Sequence, residues 1–311
     1  MYRKLTGVSV ALLVVIIALL TIGYGVGAYF VDFALKRGND MDPVAPPAAC
    51  RFIHDKNRQA VERPSKEFDE WTARSADGRR LAATHYSPEK SQGKWAILVH
   101  GYGIDQQYTG DYARVYLDHG YDVLTPDLCA SGKTEGQYIT MGVKESEEIA
   151  IWAQQIKAKD PDAEIVLHGV SMGAATVLLA AAREDIPALT AVVEDCGYTS
   201  AYEMFSDQLK VIFDLPEFPI MPCVDVVSGL KTGAQISEAA PIKVMGRIKA
   251  PVLFIHGAED KLIPPGMMDR LYEACTAQKE KLTIEGAGHG NAMPANSQQY
   301  WTHIFTFISA T

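Results

Sequence analysis

Six short apolar runs in the later part of the chain constrain its fold more than any other feature. They are KWAILVHGYG, YDVLTPDLCASG, AEIVLHGVSMG, LTAVVEDCGYTS, APVLFIHGAED and EKLTIEGAGHG. Helical stretches separate them, such as SEEIAIWAQQIKAK, in which Ile149, Trp152 and Ile156 recur at spacings of three and four and form one apolar face. Apolar runs that alternate with helices predict a mostly parallel, twisted sheet with helices on both faces. The sequence therefore predicts the α/β fold class.

Each run ends in small or polar residues, such as HG, PD, HGVS and HGAED. In open α/β sheets, ligands bind beyond the carboxyl ends of the strands. We therefore expect these polar strand ends to gather at one edge of the sheet and to form the functional site there.

The third run ends in HGVSMG, a G-x-S-x-G pattern centred on Ser171 between a predicted strand and a predicted helix. This context is typical of a nucleophile elbow, a turn so tight that the serine backbone is strained. Gly169 and Gly173 remove the Cβ atoms that would clash in such a bend. The turn also brings the serine hydroxyl to the positive end of the following helix. Ser171 is the candidate nucleophile.

A neutral serine hydroxyl is a poor nucleophile, so Ser171 needs a base and an acid that orients the base. Where this elbow occurs, the acid and then the histidine follow the serine along the chain. Asp260 ends the fifth run, and His289 lies in the glycine-rich loop after the sixth. Glu259 is the alternative acid, but the shorter side chain of Asp260, one residue further from the strand, fits better.

The reaction also needs an oxyanion hole, and its donors are expected to be two backbone N–H groups. One belongs to Met172, the residue after the candidate nucleophile, and the other to Tyr102 in the loop after the first run. Gly101 and Gly103 let that loop approach a substrate closely. The Tyr102 side chain has two interpretations that stay open, a pocket wall or a packing element.

The N-terminal stretch 7–35 carries no charge before Asp32 and is long enough to span a bilayer. Arg3 and Lys4 precede it, which resembles a signal-anchor with the rest of the chain outside the cytoplasm. A cleaved signal peptide is the alternative, because the small residues Gly25, Gly27 and Ala28 suit cleavage. We predict a membrane anchor over residues 1–35 and an extracytoplasmic domain, or a secreted domain after cleavage.

The remaining chain divides into a linker and one domain. Residues 36–66 are polar and rich in proline and are predicted to form a linker or stalk. Residues 67–311 form the predicted α/β domain. A long segment at about 202–248 interrupts the alternation of strands and helices, and we expect a lid or pocket wall there, with extra packing helices as the alternative.

Composition excludes some classes of function. The net charge is −9 and the basic residues are scattered, which argues against nucleic acid as a partner. The five cysteines lie far apart without a CxxC pair, so we predict no metal site and no cofactor. An extracytoplasmic domain leaves a disulfide open, but the pairing cannot be inferred from the sequence. The five are Cys50, Cys129, Cys196, Cys223 and Cys275.

Several motifs together resemble the α/β-hydrolase superfamily from about Phe68 to the C-terminus. They are VHGYG, DLCASGKTEG, HGVSMG, EDCGYTS, PVLFIHGAEDKLIP and GAGHG. The chain is most similar to a serine-hydrolase group that includes membrane-anchored bacterial surface hydrolases. In that group an Arg-Gly pair usually occupies the positions of Cys129 and Ala130, a departure expected to alter the pocket at most. The resemblance implies an α/β-hydrolase fold and hydrolysis of an ester, thioester or amide through an acyl-enzyme.

These observations lead to one expected activity and to several alternatives. We expect an esterase or thioesterase with Ser171, His289 and Asp260 as its triad, acting on a small-molecule or lipid-like acyl substrate. An amide or peptide hydrolase and an acyltransferase would use the same triad. A non-catalytic surface protein that keeps the fold for binding is the alternative from a different class.

Overall fold

The structure is a computed structural model that describes residues 2–38 and 67–311, with side chains from Ser9 onward in the first helix. Most of the predicted linker, residues 39–66, lies outside the described residues, as does Cys50.

One sheet of eight strands organises the described part of the chain. The strands are β1 (Asp69–Arg74), β2 (Arg80–Tyr86), β3 (Lys94–Val99), β4 (Asp122–Asp127), β5 (Glu164–Val170), β6 (Leu189–Asp195), β7 (Val252–Gly257) and β8 (Lys279–Ile284). Their order is β1-β2-β4-β3-β5-β6-β7-β8. The β1–β2 and β2–β4 pairs are antiparallel and all the other pairs are parallel. The predicted mostly parallel sheet is confirmed.

Helices cover both faces of the sheet, as predicted. They are α1 (Tyr2–Leu35), α2 (Gly110–Asp118), α3 (Val143–Lys159), α4 (Met172–Ala181), α5 (Ala201–Phe213), α6 (Glu217–Thr232), α7 (Gly266–Ala274), α8 (Ala292–Ala295) and α9 (Ser297–Ser309). Alternate strand residues enter two separate cores, because successive side chains of a strand point to opposite faces. Ile97 packs in the core shared with α3 and α4, whereas Ala96 and Leu98 pack in the core shared with α2 and α9.

The long segment between β6 and β7 folds into α5, α6 and three short 3-10 turns. The chain of α6 is broken at Phe218, whose backbone is extended with φ −89° and ψ 133°. Phe218 precedes Pro219, and a residue before proline disfavours the helical region. The segment therefore presents two insertion helices, α5 and α6, beside the carboxyl edge of the sheet. Its opening and closing as a lid stays a prediction.

The first helix has two different halves. Ser9–Leu35 is long and apolar enough to cross a membrane, as an anchor or a signal sequence would be. Residues 9–22 are exposed, whereas Val31 and Leu35 are fully buried in the main core. The composition of α1 predicts an anchor but gives no indication that its last turns belong to the core of the α/β domain.

Small residues set the approach of α1 to α6. A Cβ atom built on Gly27 would lie 2.5 Å from the Cys223 carbonyl oxygen, and one on Gly23 would lie 3.2 Å from the Cys223 sulfur. Glycines four residues apart share one face of a helix and let two backbones approach closely. The two glycines therefore bring α1 against α6 at a distance that larger side chains would not allow.

Polar contacts fix the end of α1 to the domain. Asp32 accepts hydrogen bonds from Lys231 Nζ at 2.6 Å and from the Tyr138 hydroxyl at 2.7 Å. The Ile139 N–H donates to the Leu35 carbonyl at 2.8 Å. These contacts place the last turn of α1 next to the loops at the carboxyl edge of the sheet.

Candidate active site

Ser171 occupies a strained turn between β5 and α4. Its φ of 59° and ψ of −119° lie in a backbone region that residues other than glycine rarely adopt. A Cβ atom on Gly169 would lie 2.1 Å from the Gly173 carbonyl oxygen, and one on Gly173 would lie 2.1 Å from the Val99 carbonyl oxygen. Both glycines are therefore required by close backbone contacts, and the bend leaves Ser171 half-buried at the edge of the sheet.

Two short contacts connect Ser171 to His289 and His289 to Asp260. His289 Nε2 is 2.8 Å from Ser171 Oγ, and His289 Nδ1 is 2.7 Å from Asp260 Oδ2. When Nδ1–H donates to the carboxylate, Nε2 is left free to accept the serine proton. His289 and Asp260 are buried. The structure thus brings together the three residues that the sequence singled out.

Asp260 is held as a carboxylate by several donors. Its Oδ1 accepts the backbone N–H groups of Leu262 at 2.9 Å and Ile263 at 3.0 Å. Burial alone would raise the pKa of Asp260, but hydrogen bonds from His256, His289 and Ile263 hold that pKa well below its usual value. Glu259, the alternative acid, is exposed. The carboxylate that faces His289 is therefore Asp260.

A second histidine, which the sequence analysis missed, shares the Asp260 carboxylate. His256 Nε2 lies 2.9 Å from the Ile263 carbonyl oxygen and 3.2 Å from Asp260 Oδ2, and the residue is fully buried. Burial would lower the pKa of His256, but its hydrogen bond to Asp260 and the negative charges of Glu194 and Asp260 raise it. The four-residue spacing in HGAED was the available indication. Asp260 is consequently oriented from two sides.

Two other buried histidines near the strand ends are engaged elsewhere. His100 Nε2 accepts the Leu128 N–H at 3.1 Å. His168 lies between the hydroxyl groups of Tyr116 and Tyr300, at 3.2 Å and 3.0 Å, and burial lowers its pKa to about 3. Neither ring is hydrogen-bonded to Ser171.

The two expected oxyanion donors lie next to Ser171. Met172 is the first residue of α4, and the first N–H groups of a helix have no partner within that helix. A Cβ atom on Gly101 would lie 3.5 Å from the Ser171 Cβ, so the loop that carries Tyr102 passes beside the serine. Both residues therefore lie beside Ser171, and the role of their N–H groups as oxyanion donors stays a prediction.

The Tyr102 side chain connects this loop to α1. Its hydroxyl donates a hydrogen bond to the Ala34 carbonyl, and burial raises the pKa of Tyr102 to about 12. The phenol is therefore a neutral donor at physiological pH. The contact answers the question that the sequence left open, because the ring packs in the structure and also lines both pockets beside Ser171.

Two pockets meet at Ser171 and Tyr102. The histidine-side pocket contains His289, and its lining mixes polar, aromatic and aliphatic residues, including Tyr108, Asp111, Tyr112 and Met293. The apolar pocket contains Met172 and extends under the insertion helices to α1; its lining includes Phe30, Phe33, Ala34, Leu209, Phe213 and Val224. The serine is thus open to two chemically different surfaces.

The Cys129–Ala130 pair, which departs from the usual Arg-Gly, lies outside both pockets. Arg79 approaches the Cys129 sulfur at 2.9 Å, and the Cys129 N–H donates to Glu148 at 2.9 Å. Burial and the nearby carboxylates raise the pKa of Cys129 well above its usual value. This loop therefore keeps a buried, neutral thiol that does not line the site.

One cluster has the residue types of a metal site. Ligand atoms of Cys196, Asp260 and His289 all lie within 4.8 Å of one another. Both ring nitrogens of His289 are already hydrogen-bonded, to Asp260 and to Ser171. The arrangement therefore suits proton transfer, and a metal ion would have to break it. Among the described cysteines, Cys129, Cys196, Cys223 and Cys275 are free.

Two families match segments that overlap at this site. Residues 77–214 match the family described as X-Pro dipeptidyl-peptidase (S15 family). Residues 166–300 match the family described as serine hydrolase (FSH1), a range that includes Ser171, Asp260 and His289.

Two curated relatives are similar to most of this chain. The uncharacterised protein YqkD of Bacillus subtilis is 28% identical over 235 residues, covering 75% of this chain and 77% of that protein. Alpha/beta hydrolase domain-containing protein 17B of Homo sapiens is 24% identical over 265 residues, covering 83% and 82%.

Among solved structures, a Pyrococcus furiosus esterase superposes with a TM-score of 0.65 at 20% identity, covering 78% of this chain and 91% of that chain. A Pyrococcus horikoshii acylaminoacyl peptidase superposes with a TM-score of 0.59 at 17% identity, covering 77% and 41%. At these identities the superpositions establish the fold.

Proposed function

We propose that the chain is a serine hydrolase of the α/β-hydrolase superfamily and that it cleaves a carboxylic ester or thioester through an acyl-enzyme on Ser171. The observation that carries this proposal is the continuous hydrogen-bonded path from the Ser171 hydroxyl through His289 to the buried Asp260 carboxylate. A hydroxyl, an imidazole and a carboxylate in that order are the parts that nucleophilic acyl transfer needs.

The first half of the reaction forms the acyl-enzyme. Ser171 Oγ attacks the carbonyl carbon as His289 Nε2 takes the hydroxyl proton, and the Asp260 carboxylate stabilises the resulting imidazolium. The N–H groups of Met172 and Tyr102 bind the oxygen that becomes negative. His289 then gives the proton to the leaving alcohol or thiol as its bond to the carbonyl carbon breaks.

The second half returns the enzyme to its starting state. Water attacks the acyl carbon while His289 takes one of its protons, and the bond to Ser171 Oγ breaks as that oxygen recovers a proton from His289. The products are a carboxylic acid and the free serine. Acyl transfer to a different nucleophile would replace only the water in this scheme.

Peptide or amide hydrolysis is the second candidate, and the match of residues 77–214 to a dipeptidyl-peptidase family favours it. Ester cleavage is preferred because the large apolar pocket beside Ser171 suits an acyl group better than a peptide, which also needs partners for its backbone. Release of p-nitroaniline from an X-Pro p-nitroanilide, faster than release of p-nitrophenol from an octanoyl ester, would favour the peptidase. We expect the opposite order.

We further propose that α1 is kept in the mature protein as a membrane anchor, with the catalytic domain on the extracytoplasmic side. Cleavage after Ala28 would remove Gly27 and would leave uncovered the α6 surface at Cys223, where Gly27 now packs. The intact mass of the protein from the membrane fraction tests this, and we expect α1 to be present. Protease digestion of spheroplasts should reach the catalytic domain, whereas a protected domain would contradict the orientation.

A fluorophosphonate probe tests the hydrolase proposal itself, because it labels only an activated serine. We expect wild-type protein to be labelled and Ser171→Ala to be unlabelled. Ser309→Ala changes an exposed serine at the end of α9 and should label as wild type does. Absence of labelling in folded wild-type protein would contradict the proposal.

A further inference from the structure

The position of His289 indicates which of the two pockets at Ser171 would hold the leaving group of a substrate and which would hold its acyl group. His289 must protonate the leaving group, so the leaving group has to lie on the side of the serine where His289 stands. That side is the histidine-side pocket, since His289 lines it and does not line the apolar pocket. The acyl group must then extend the other way, past Met172, into the apolar pocket.

The apolar pocket has the chemistry of a hydrocarbon site. Most of its lining is aliphatic or aromatic. Gln208, Ser171 and two tyrosines are the lining residues with a polar side-chain group. A surface of this kind binds most strongly to ligands that bury apolar area against it. A linear acyl chain provides such area, whereas an acetyl group provides little.

One wall of the apolar pocket comes from the last turns of α1. Phe30 and Phe33 pack edge-to-face on Phe213 of α5, with ring centroids 5.4 Å and 5.5 Å apart. Ala34 also lines the pocket, and its carbonyl accepts the Tyr102 hydroxyl. The helix that carries the anchor sequence thus reaches the residue whose N–H is a proposed oxyanion donor.

From this geometry we propose that the end of α1 is a specificity element of the active site, and that the enzyme selects esters or thioesters of long hydrocarbon acyl chains. The inference rests on the proposed function and names the substrate class of the same site. The acyl chain lies between the insertion helices on one side and Phe30, Phe33 and Ala34 on the other. Neither the motifs of the sheet nor the anchor composition assigns this role to α1.

The test makes the apolar pocket smaller by enlarging a side chain of α1 that lines it. Ala34→Trp adds a large side chain to the wall and keeps the carbonyl that binds Tyr102; Ala34→Leu is a milder form of the same change. Full-length protein in detergent micelles is assayed with acetyl, octanoyl and palmitoyl p-nitrophenyl esters. We expect the palmitoyl-to-acetyl ratio of kcat/KM to fall at least tenfold in Ala34→Trp, and by less in Ala34→Leu.

A matched substitution controls for the added tryptophan. Ala18→Trp makes the same change on the exposed half of α1, and we expect it to keep the wild-type ratio. A second readout compares the labelling rates of a hexadecyl and an ethyl fluorophosphonate on the same variants. Labelling by the ethyl probe also reports that Ser171 is folded and active in each variant.

The outcomes separate this inference from the proposed function. Wild-type protein could be labelled while Ala34→Trp and Ala34→Leu keep the wild-type chain-length and labelling ratios. That result would contradict the role of α1 in substrate selection and would leave the proposed serine hydrolase activity intact. A wild-type preference for the acetyl ester over the palmitoyl ester would likewise overturn the substrate class alone. If folded wild-type protein is not labelled at all, the proposed function fails and the inference fails with it.

Discussion

Ser171 stands between two regions that are built in different ways. On one side are the loops that follow β3, β5, β7 and β8, which carry Tyr102, Ser171, Asp260 and His289 close together at the edge of one sheet. On the other side are α1 and the insertion helices, which meet through aromatic side chains and two glycines. The first region holds polar groups at hydrogen-bond distances, and the second holds an apolar volume.

This difference assigns the catalytic step to the sheet edge and the choice of substrate to the helical wall, which is formed by α1 and the insertion helices. The sheet edge holds the three side chains of the proposed triad, so substitutions of Ser171, Asp260 or His289 should lower activity on every substrate alike. The helical wall touches no reacting atom, so its substitutions should change which substrates are used and how stable the domain is. The predictions below test that separation, starting with the largest effect.

At the sheet edge, Asp260→Asn should lower kcat by about 10⁴-fold on short and long esters alike, because the amide favours the wrong tautomer of His289. Steady-state kinetics with the acetyl and octanoyl esters check this. Glu259→Gln is the matched control, since Glu259 is exposed beside the same strand end, and it should leave kcat within about twofold. A larger loss in Glu259→Gln than in Asp260→Asn would exchange the roles of the two acids.

In the helical wall, Gly27→Ile should force α1 away from α6, because a Cβ at this position meets the Cys223 carbonyl at 2.5 Å. We expect a loss of about 1–3 kcal/mol in the free energy of unfolding of the domain, together with a lower palmitoyl-to-acetyl ratio. Gly25→Ile adds the same side chain where nothing lies within 4 Å. Equal stabilities of the two variants, measured by thermal unfolding in detergent, would mean that the α1–α6 contact does not hold the domain.

The smallest effect is expected where the two regions touch. Tyr102→Phe removes the hydroxyl that binds the Ala34 carbonyl but keeps the backbone N–H proposed for the oxyanion hole. Loss of one such hydrogen bond costs about 0.5–1.5 kcal/mol, so kcat/KM for the octanoyl ester should fall by roughly two- to tenfold. Tyr24→Phe, on the exposed part of α1, is the control. A fall of about 10³-fold would instead assign the hydroxyl a direct part in the chemistry.

The sheet edge could be predicted from the sequence because parallel strands bring their carboxyl ends to one edge. Ser171, Asp260 and His289 each follow a strand, so their order and positions were enough to group them. His256 was missed since a histidine at the end of a buried strand has the same local pattern whether it packs or orients a carboxylate. Its contact with Asp260 depends on the turn between them.

The helical wall could not be predicted in the same way. An apolar helix has one composition whether lipid or protein surrounds it, so the buried state of Val31 and Leu35 left no trace in the sequence. The contacts of Phe30 and Phe33 with Phe213 join segments far apart in the chain, without a periodic pattern to relate them. The glycines at 23 and 27 were the available indication, but Gly27 suits a signal cleavage site as well as a helix contact.

The central claim is that a long acyl chain is transferred to Ser171, and mapping the acyl-enzyme tests it most directly. Full-length protein in micelles is mixed with palmitoyl p-nitrophenyl ester, quenched in acid within the first turnover, digested and examined by mass spectrometry. We predict a palmitoyl group on the peptide that contains Ser171, and no such group in Ser171→Ala. Turnover of the ester with the acyl group on another residue, or the same labelling in Ser171→Ala, would contradict the account.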